Sequence, residues 1–166
     1  PRRLFHPSHG RGQEISDTKI HQDGRMITFE FQKACDFKPG LAHKQWLKNV
    51  IRKEGLQPGD IVYFFCDDAY LYERNVHFLH HDTLTDIITF DHRVGDVVSG
   101  DIMISLDRVG ENAQKFGVTF QQELLRVIVH GILHLCGYKD KSDEEAVQMR
   151  SMEDASLAMF SRENNL

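Results

Sequence analysis

Cysteine, proline and tryptophan are scarce in this 166-residue chain, which holds three, four and one of them. The thiols, Cys35, Cys66 and Cys136, form an odd and scattered set that argues against a disulfide scaffold and suits a reducing compartment. No apolar run approaches the roughly 20 residues needed to cross a bilayer. The longest, around Ile61–Cys66, has the length of a buried strand. An apolar secretory-signal core is missing from the N-terminus. Cationic excess is missing too: 20 Lys and Arg face 25 Asp and Glu, a formal net charge of −5. Bulk charge therefore offers no sequence-blind affinity for nucleic acid, although a local basic groove is still open to the fold. These absences predict a cytoplasmic protein with no membrane partner.

What remains is ordinary globular material, 40% hydrophobic and of a length that suits one domain. Ten histidines are many for this length and invite a search for metal or proton chemistry. Residues 1–24 are polar and aperiodic and read as a flexible N-terminal arm, leaving 25–166 as a single domain. Ile27, Phe29 and Phe31 alternate with polar residues as a half-buried strand does. Helical spacing runs from Ala42 to Lys53, and Asp60–Cys66 reads as a central strand. A helix capped by Asp67 or Asp68 is expected to run to about Phe78. Strands follow at Thr85–Phe90 and Gly100–Ser105, with Gly95 and the Ser99-Gly100 pair marking their connection. Helices are expected over Leu106–Phe116, Thr119–Cys136 and from Ser142 to about Phe160. The expected fold is one α/β (α+β) domain: a four-stranded mixed sheet packed with five helices, a metal site on a central helix.

The chemistry concentrates between Val129 and Asp140. His130 and His134 lie four apart on the predicted helix, so both imidazoles leave one face a turn apart and can reach one ion at about 2.0–2.1 Å. Gly137 ends the helix and lets the chain fold back, which brings Asp140 into range as an oxygen ligand. Two histidines and a carboxylate leave a coordination position open, as a catalytic ion requires. A metalloprotease helix would carry glutamate after the first histidine, where this chain has Gly131, so peptide hydrolysis is poorly supported. Glu123, two turns before His130, is a candidate to orient that histidine or to act as a base. Arg126, one turn before His130, is a candidate phosphate contact. Lys44, Lys48 and Arg52 form a basic stripe on the first helix, equally readable as a solvated face.

The segment His130–Tyr138, H-G-I-L-H-L-C-G-Y, resembles the signature of the YbeY family of bacterial endoribonucleases, also described as rRNA maturation factors. Thr85–Phe90 is similar to that family's T-D-V-L-S-F strand, Gly100-Asp101-Ile102 to its G-D-I/V strand, and Asp143–Ala146 followed by Met149 to its last helix. The resemblance runs from about Ile27 to Phe160. It implies a single-strand endoribonuclease acting on rRNA precursors in rRNA maturation and ribosome quality control, with ribosomal components as further partners and no DNA. It also implies one Zn2+, held by His130, His134 and Asp140; Glu123 and Arg126, singled out by helical spacing alone, are the catalytic candidates beside it. Two departures stand out. Asp140 occupies the place of the family's third histidine, a harder ligand that shifts preference toward Mn or Mg. Leu79 occupies the place of an arginine that meets RNA phosphate, for which His80, His81 or Arg74 are conjectural substitutes. Two other readings remain open: a non-catalytic ribosome-assembly factor whose ion is purely structural, its shell closed for example by Cys136, and a different metallohydrolase.

Overall fold

Alternating Ile, Val and Phe build the strands of this chain, and apolar residues at helical spacing build the layers that cover them. The computed structural model describes residues 25–79 and 85–166. In chain order they form β1 (Ile27–Phe31), α1 (Leu41–Lys53), β2 (Gln57–Cys66), α2 (Asp68–Leu79), β3 (Ile87–Asp91), β4 (Val97–Ser105), α3 (Leu106–Phe116), α4 (Phe120–Leu135) and α5 (Asp143–Glu163). The four strands and five helices expected from the sequence are present among the described residues. The arm assigned to residues 1–24 lies outside them. No helix among the described residues is long and apolar enough to cross a membrane.

The sheet has the order β1-β2-β4-β3, with β1, β2 and β4 mutually parallel and β3 antiparallel to β4. Two strands start earlier than the hydrophobic pattern predicts. Gln57 and Pro58 pair with Val97 and Val98, and the register shifts between Pro58 and Ile61. Proline is tolerated there because β1 begins opposite Ile61, so Pro58 has no β1 neighbour awaiting an N–H. The β3–β4 connection turns around Gly95, bridged by Val94 and Val97, and not at Ser99-Gly100. Gly100 lies inside β4, where a Cβ would stand 2.4 Å from the Phe90 carbonyl oxygen.

The main core fills the space between the sheet and α1, α4 and α5. Trp46, Leu47 and Ile51 meet Ile61, Tyr63 and Phe65, while Ile102 and Ile104 meet Ile128 and Ile132. On the other side of the sheet, Leu71 of α2 covers Cys66, Ile88 and Met103. Two buried aromatic donors tie the layers together: Tyr63 donates its hydroxyl to the Ile128 carbonyl, and Trp46 its indole N–H to the Ser156 carbonyl, each at 2.7 Å. Both bonds end on backbone, so they hold the helices as well as their side chains.

α4 is apolar on most of its circumference and lies close on β3 and β4. A Cβ at Gly131 would stand 2.9 Å from Ile102 Cγ2 and 3.1 Å from Ile87 Cδ1. Packing therefore explains the glycine where a metalloprotease helix has its glutamate. Gly131→Glu would overfill this contact and bury a charge, so it should destabilise the fold by more than about 3 kcal/mol. Chemical denaturation measures this; an unchanged midpoint would contradict the close approach.

Candidate metal centre

Thr119 starts α4 by accepting the Gln122 N–H, while the Gln122 side chain accepts the Thr119 N–H in return. At its other end the helix is closed with equal definition. Gly137 adopts φ 110°, a conformation glycine allows. Its N–H donates to the His134 carbonyl and the Tyr138 N–H to the Leu133 carbonyl, each at 3.0 Å, completing a Schellman turn. The turn sends the chain back over the last helical face, and Tyr138 is anchored by donating its hydroxyl to Glu54 at 2.7 Å.

This reversal assembles the site. The rings of His130 and His134 lie 4.4 Å apart with their planes at 87°. Asp140 Oδ2 stands 3.1 Å from His130 Nε2 and 3.2 Å from His134 Nε2. The three donor atoms lie within 4.8 Å of one another. Bonds of 2.0–2.2 Å at tetrahedral angles separate neighbouring donors by about 3.3–3.6 Å, so the spacing fits one first-row cation. The other ring nitrogens are also employed. His130 Nδ1–H donates to Glu153 Oε2 at 2.7 Å, and His134 Nδ1–H donates to the Tyr138 carbonyl at 2.9 Å. Those acceptors favour the Nδ1–H tautomer and leave each Nε2 lone pair for a metal.

A charged network lies behind the histidines. Glu153 of α5, with a side chain only 7% exposed, takes Arg126 Nη1 on its second oxygen at 2.9 Å. Arg126 Nη2 reaches Asp154 at 2.8 Å. Burial pushes the Glu153 carboxyl up, but His130 and Arg126 outweigh it and hold the group below its usual range. Burial lowers His130 in turn, and Glu153 and Asp140 outweigh that to hold it above its usual range. Asp86, at the entrance to β3, is half-buried in the electrostatic field of His130, Glu153 and Asp140, and burial raises its carboxyl.

The histidine pair and Asp140 thus meet at one point, as their spacing predicts. Ser142 caps α5 in a reciprocal pair with Glu145, so Asp140 is not needed as a cap. The carboxylate on His130 comes from Glu153, and the role of orienting His130 passes from Glu123 to it. Glu123 itself is buried in the first turn of α4. A carboxylate on the stripe of Met149, Ser156 and Phe160 is the sequence signal that marks Glu153. Lys139 and Lys141, exposed on either side of Asp140, are two cations absent from the sequence-based candidates. Lys44 and Lys48 are half-buried on α1, and Arg52 is exposed with Nη1 3.4 Å from Asn49 Oδ1. Arg74 lies over the Tyr70 ring at 4.9 Å. Leu79 ends α2; His80 and His81 lie outside the described residues.

Comparison with known proteins places these features in a family context. A family model described as Endoribonuclease YbeY matches residues 29–161. Endoribonuclease YbeY of Flavobacterium johnsoniae is 53% identical over 135 residues, covering 81% of this chain and 97% of that protein. The Flavobacterium psychrophilum protein of the same name is 48% identical over 140 residues, covering 84% and 100%. The solution structure of TM1509 from Thermotoga maritima superimposes with a TM-score of 0.60 at 28% identity, covering 84% of this chain and 92% of that one.

Asp140→Asn exchanges an anionic oxygen for a neutral amide and should weaken Zn2+ binding more than about 100-fold, beyond the usual cost of losing an outer-shell partner. Asp140→His should retain Zn2+ through a nitrogen donor. Calorimetric titration of both variants tests the assignment, and wild-type affinity in Asp140→Asn would refute it.

Glu123 supplies a prediction about pH. Burial raises its carboxyl above the usual range, although Arg126 opposes the shift. The folded state therefore disfavours the ionised form, and wild-type stability falls as pH rises through the unfolded value toward the folded one. Glu123→Gln should stabilise the protein at pH 8 and lose that advantage below about pH 4. Melting curves at the two pH values measure the difference; an equal effect at both would contradict the buried-charge account.

Proposed function

The chain belongs to the endoribonuclease YbeY family, and from that premise we propose that it is a metal-dependent endoribonuclease. It cuts single-stranded regions of rRNA precursors, in rRNA maturation and ribosome quality control. The observation that carries this reading is the convergence of His130 Nε2, His134 Nε2 and Asp140 Oδ2 on one partly exposed point. Zn2+ is the proposed ion, since two imidazoles with one carboxylate suit it. Mn or Mg are the alternatives that the aspartate admits. Bound there, the ion would supply Lewis acidity to polarise a phosphoryl oxygen and acidify water.

The chain's own residues divide the remaining work. His130 and His134 are presented in fixed orientation by Glu153 and by the Tyr138 carbonyl. Asp140 brings a negative charge to the donor set. Lys139 and Lys141 contact phosphates on either side, positioning RNA without reading its sequence. Glu123 lies buried in the first turn of the helix that carries both histidines, with its carboxyl raised by burial, and is the remaining acidic candidate for an indirect role. Residues 25–166 constitute the catalytic unit. The three free thiols favour the cytoplasm, where ribosomal components are its partners. A purely structural ion closed by Cys136 is disfavoured: that residue is the C-cap of α4, and its thiol is not among the donors gathered with His130, His134 and Asp140.

His130→Ala and His134→Ala should each abolish stoichiometric metal binding and cleavage of rRNA precursors while the fold is retained. Plasma emission spectrometry and circular dichroism read the two sides. Metal content equal to wild type would overturn the site. Removing Lys139 and Lys141 should reduce the salt slope of RNA binding by about 1 each. An unchanged slope would remove them from the phosphate path.

A further inference from the structure

We propose that Arg126 and Glu153 are positioning residues of the metal centre, forming with Asp154 a chain of charge that fixes the ring of His130. The inference rests on the reading of His130 as a ligand and deepens it. Asp154, Arg126, Glu153 and His130 follow one another at 2.8, 2.9 and 2.7 Å. Asp154, Arg126 and Glu153 alternate in sign from the surface inward, from an Asp154 side chain 60% exposed to a Glu153 side chain 7% exposed. Glu153 is a buried carboxylate with both oxygens engaged, one by the guanidinium and one by the imidazole. The hydrogen bond fixes the rotation of the ring about its long axis and keeps the proton on Nδ1, and so aims Nε2 toward the Asp140 oxygen.

The same geometry assigns Arg126 away from RNA. Both of its terminal nitrogens are committed to carboxylates, and its side chain is 19% exposed. Swinging it onto a phosphate would leave Glu153 buried without its cation. A planar fork is required to span Glu153 and Asp154 together, which lysine cannot supply. The network also joins helices that are distant in sequence: α4 contributes Arg126 and His130, and α5 contributes Glu153 and Asp154. Metal geometry thereby depends on the packing of α5 on α4.

The test uses the full chain, with Zn2+ affinity measured against a chromophoric chelator and the visible spectrum of bound Co2+ recorded. Glu153→Gln should weaken Zn2+ by about 10–100-fold and alter the Co2+ spectrum. Arg126→Met should weaken Zn2+ in the same direction, Arg126→Lys should not restore it, and the salt slope for a single-stranded oligoribonucleotide should stay at the wild-type value. Glu153→Asp, which keeps the charge but shortens the reach, should show the same metal defect and guards against a variant that fails to fold. A merely structural role would lower the melting temperature of the metal-free protein and leave the Co2+ spectrum of the folded fraction unchanged. That result, or wild-type Zn2+ affinity in Glu153→Gln, overturns the proposal. A salt slope reduced by about 1 in Arg126→Met, with metal affinity intact, returns Arg126 to the phosphates and also overturns it. Loss of metal in His130→Ala beside wild-type affinity in Glu153→Gln separates failure of this inference from failure of the site itself.

Discussion

Between α4 and the sheet there is no room for a side chain at Gly131, and the position of the whole metal centre depends on that contact. Ile102 and Ile87 press against the helix backbone there. On the same helix, Tyr63 donates to the Ile128 carbonyl and fixes its height above β2. With depth and height set, rotation about the helix axis follows from which residues are apolar. Leu124, Val127, Ile128, Ile132, Leu133 and Leu135 are all buried. The direction left to His130 and His134 is the rim where α4 meets α5 and the returning turn. The helix is thus a core element whose partly polar edge carries the chemistry.

The turn after α4 solves a separate problem. A helix end leaves carbonyls without partners, and a glycine in the left-handed region satisfies two of them by folding the chain back. That fold-back delivers Asp140 to the histidines and brings the Tyr138 carbonyl onto His134. One local device therefore provides helix termination, a third donor atom beside the two imidazoles and an orienting acceptor. Tyr138 ties the arrangement to α1 through Glu54, so the turn is braced from both sides.

The centre's electrostatics reflect partial burial more than net charge. Asp86, Glu123 and Glu153 lie close enough to influence one another's ionisation, with Arg126 as the cationic counterpart of Glu123 and Glu153, and His130 beside Asp86 and Glu153. Glu153 remains ionised because its hydrogen bonds to His130 and Arg126 exceed its desolvation cost. Glu123 and Asp86 are shifted the other way by burial. Such a network stabilises the fold only while it is complete, since removing one member of a buried pair costs about 3–5 kcal/mol.

Short-range signals were sufficient for much of this protein. The H-x3-H spacing, the glycine after it and the aspartate beyond lie within a dozen residues, and helix periodicity and turn chemistry make their meeting legible along one segment. Period-two and helical patterns likewise identify the strands and helices, because burial on one face is written directly into residue type. Where the pattern misleads, tertiary contact is the reason: Gly100 resembles a turn residue, yet lies inside β4 because the Phe90 carbonyl allows no Cβ. Glu153 stands 23 residues from His130, on another helix, and only the packing of α5 on α4 brings its carboxylate to the imidazole. Arg126 looks like a free cation one turn before a ligand, but the same packing places it between Glu153 and Asp154. The sequence by itself determined the three candidate donors and the elements that carry them, since both follow from local geometry. The partners of those side chains were decided by the tertiary structure, because hydrogen bonds between helices depend on how the helices pack, and spacing along one chain segment does not encode that.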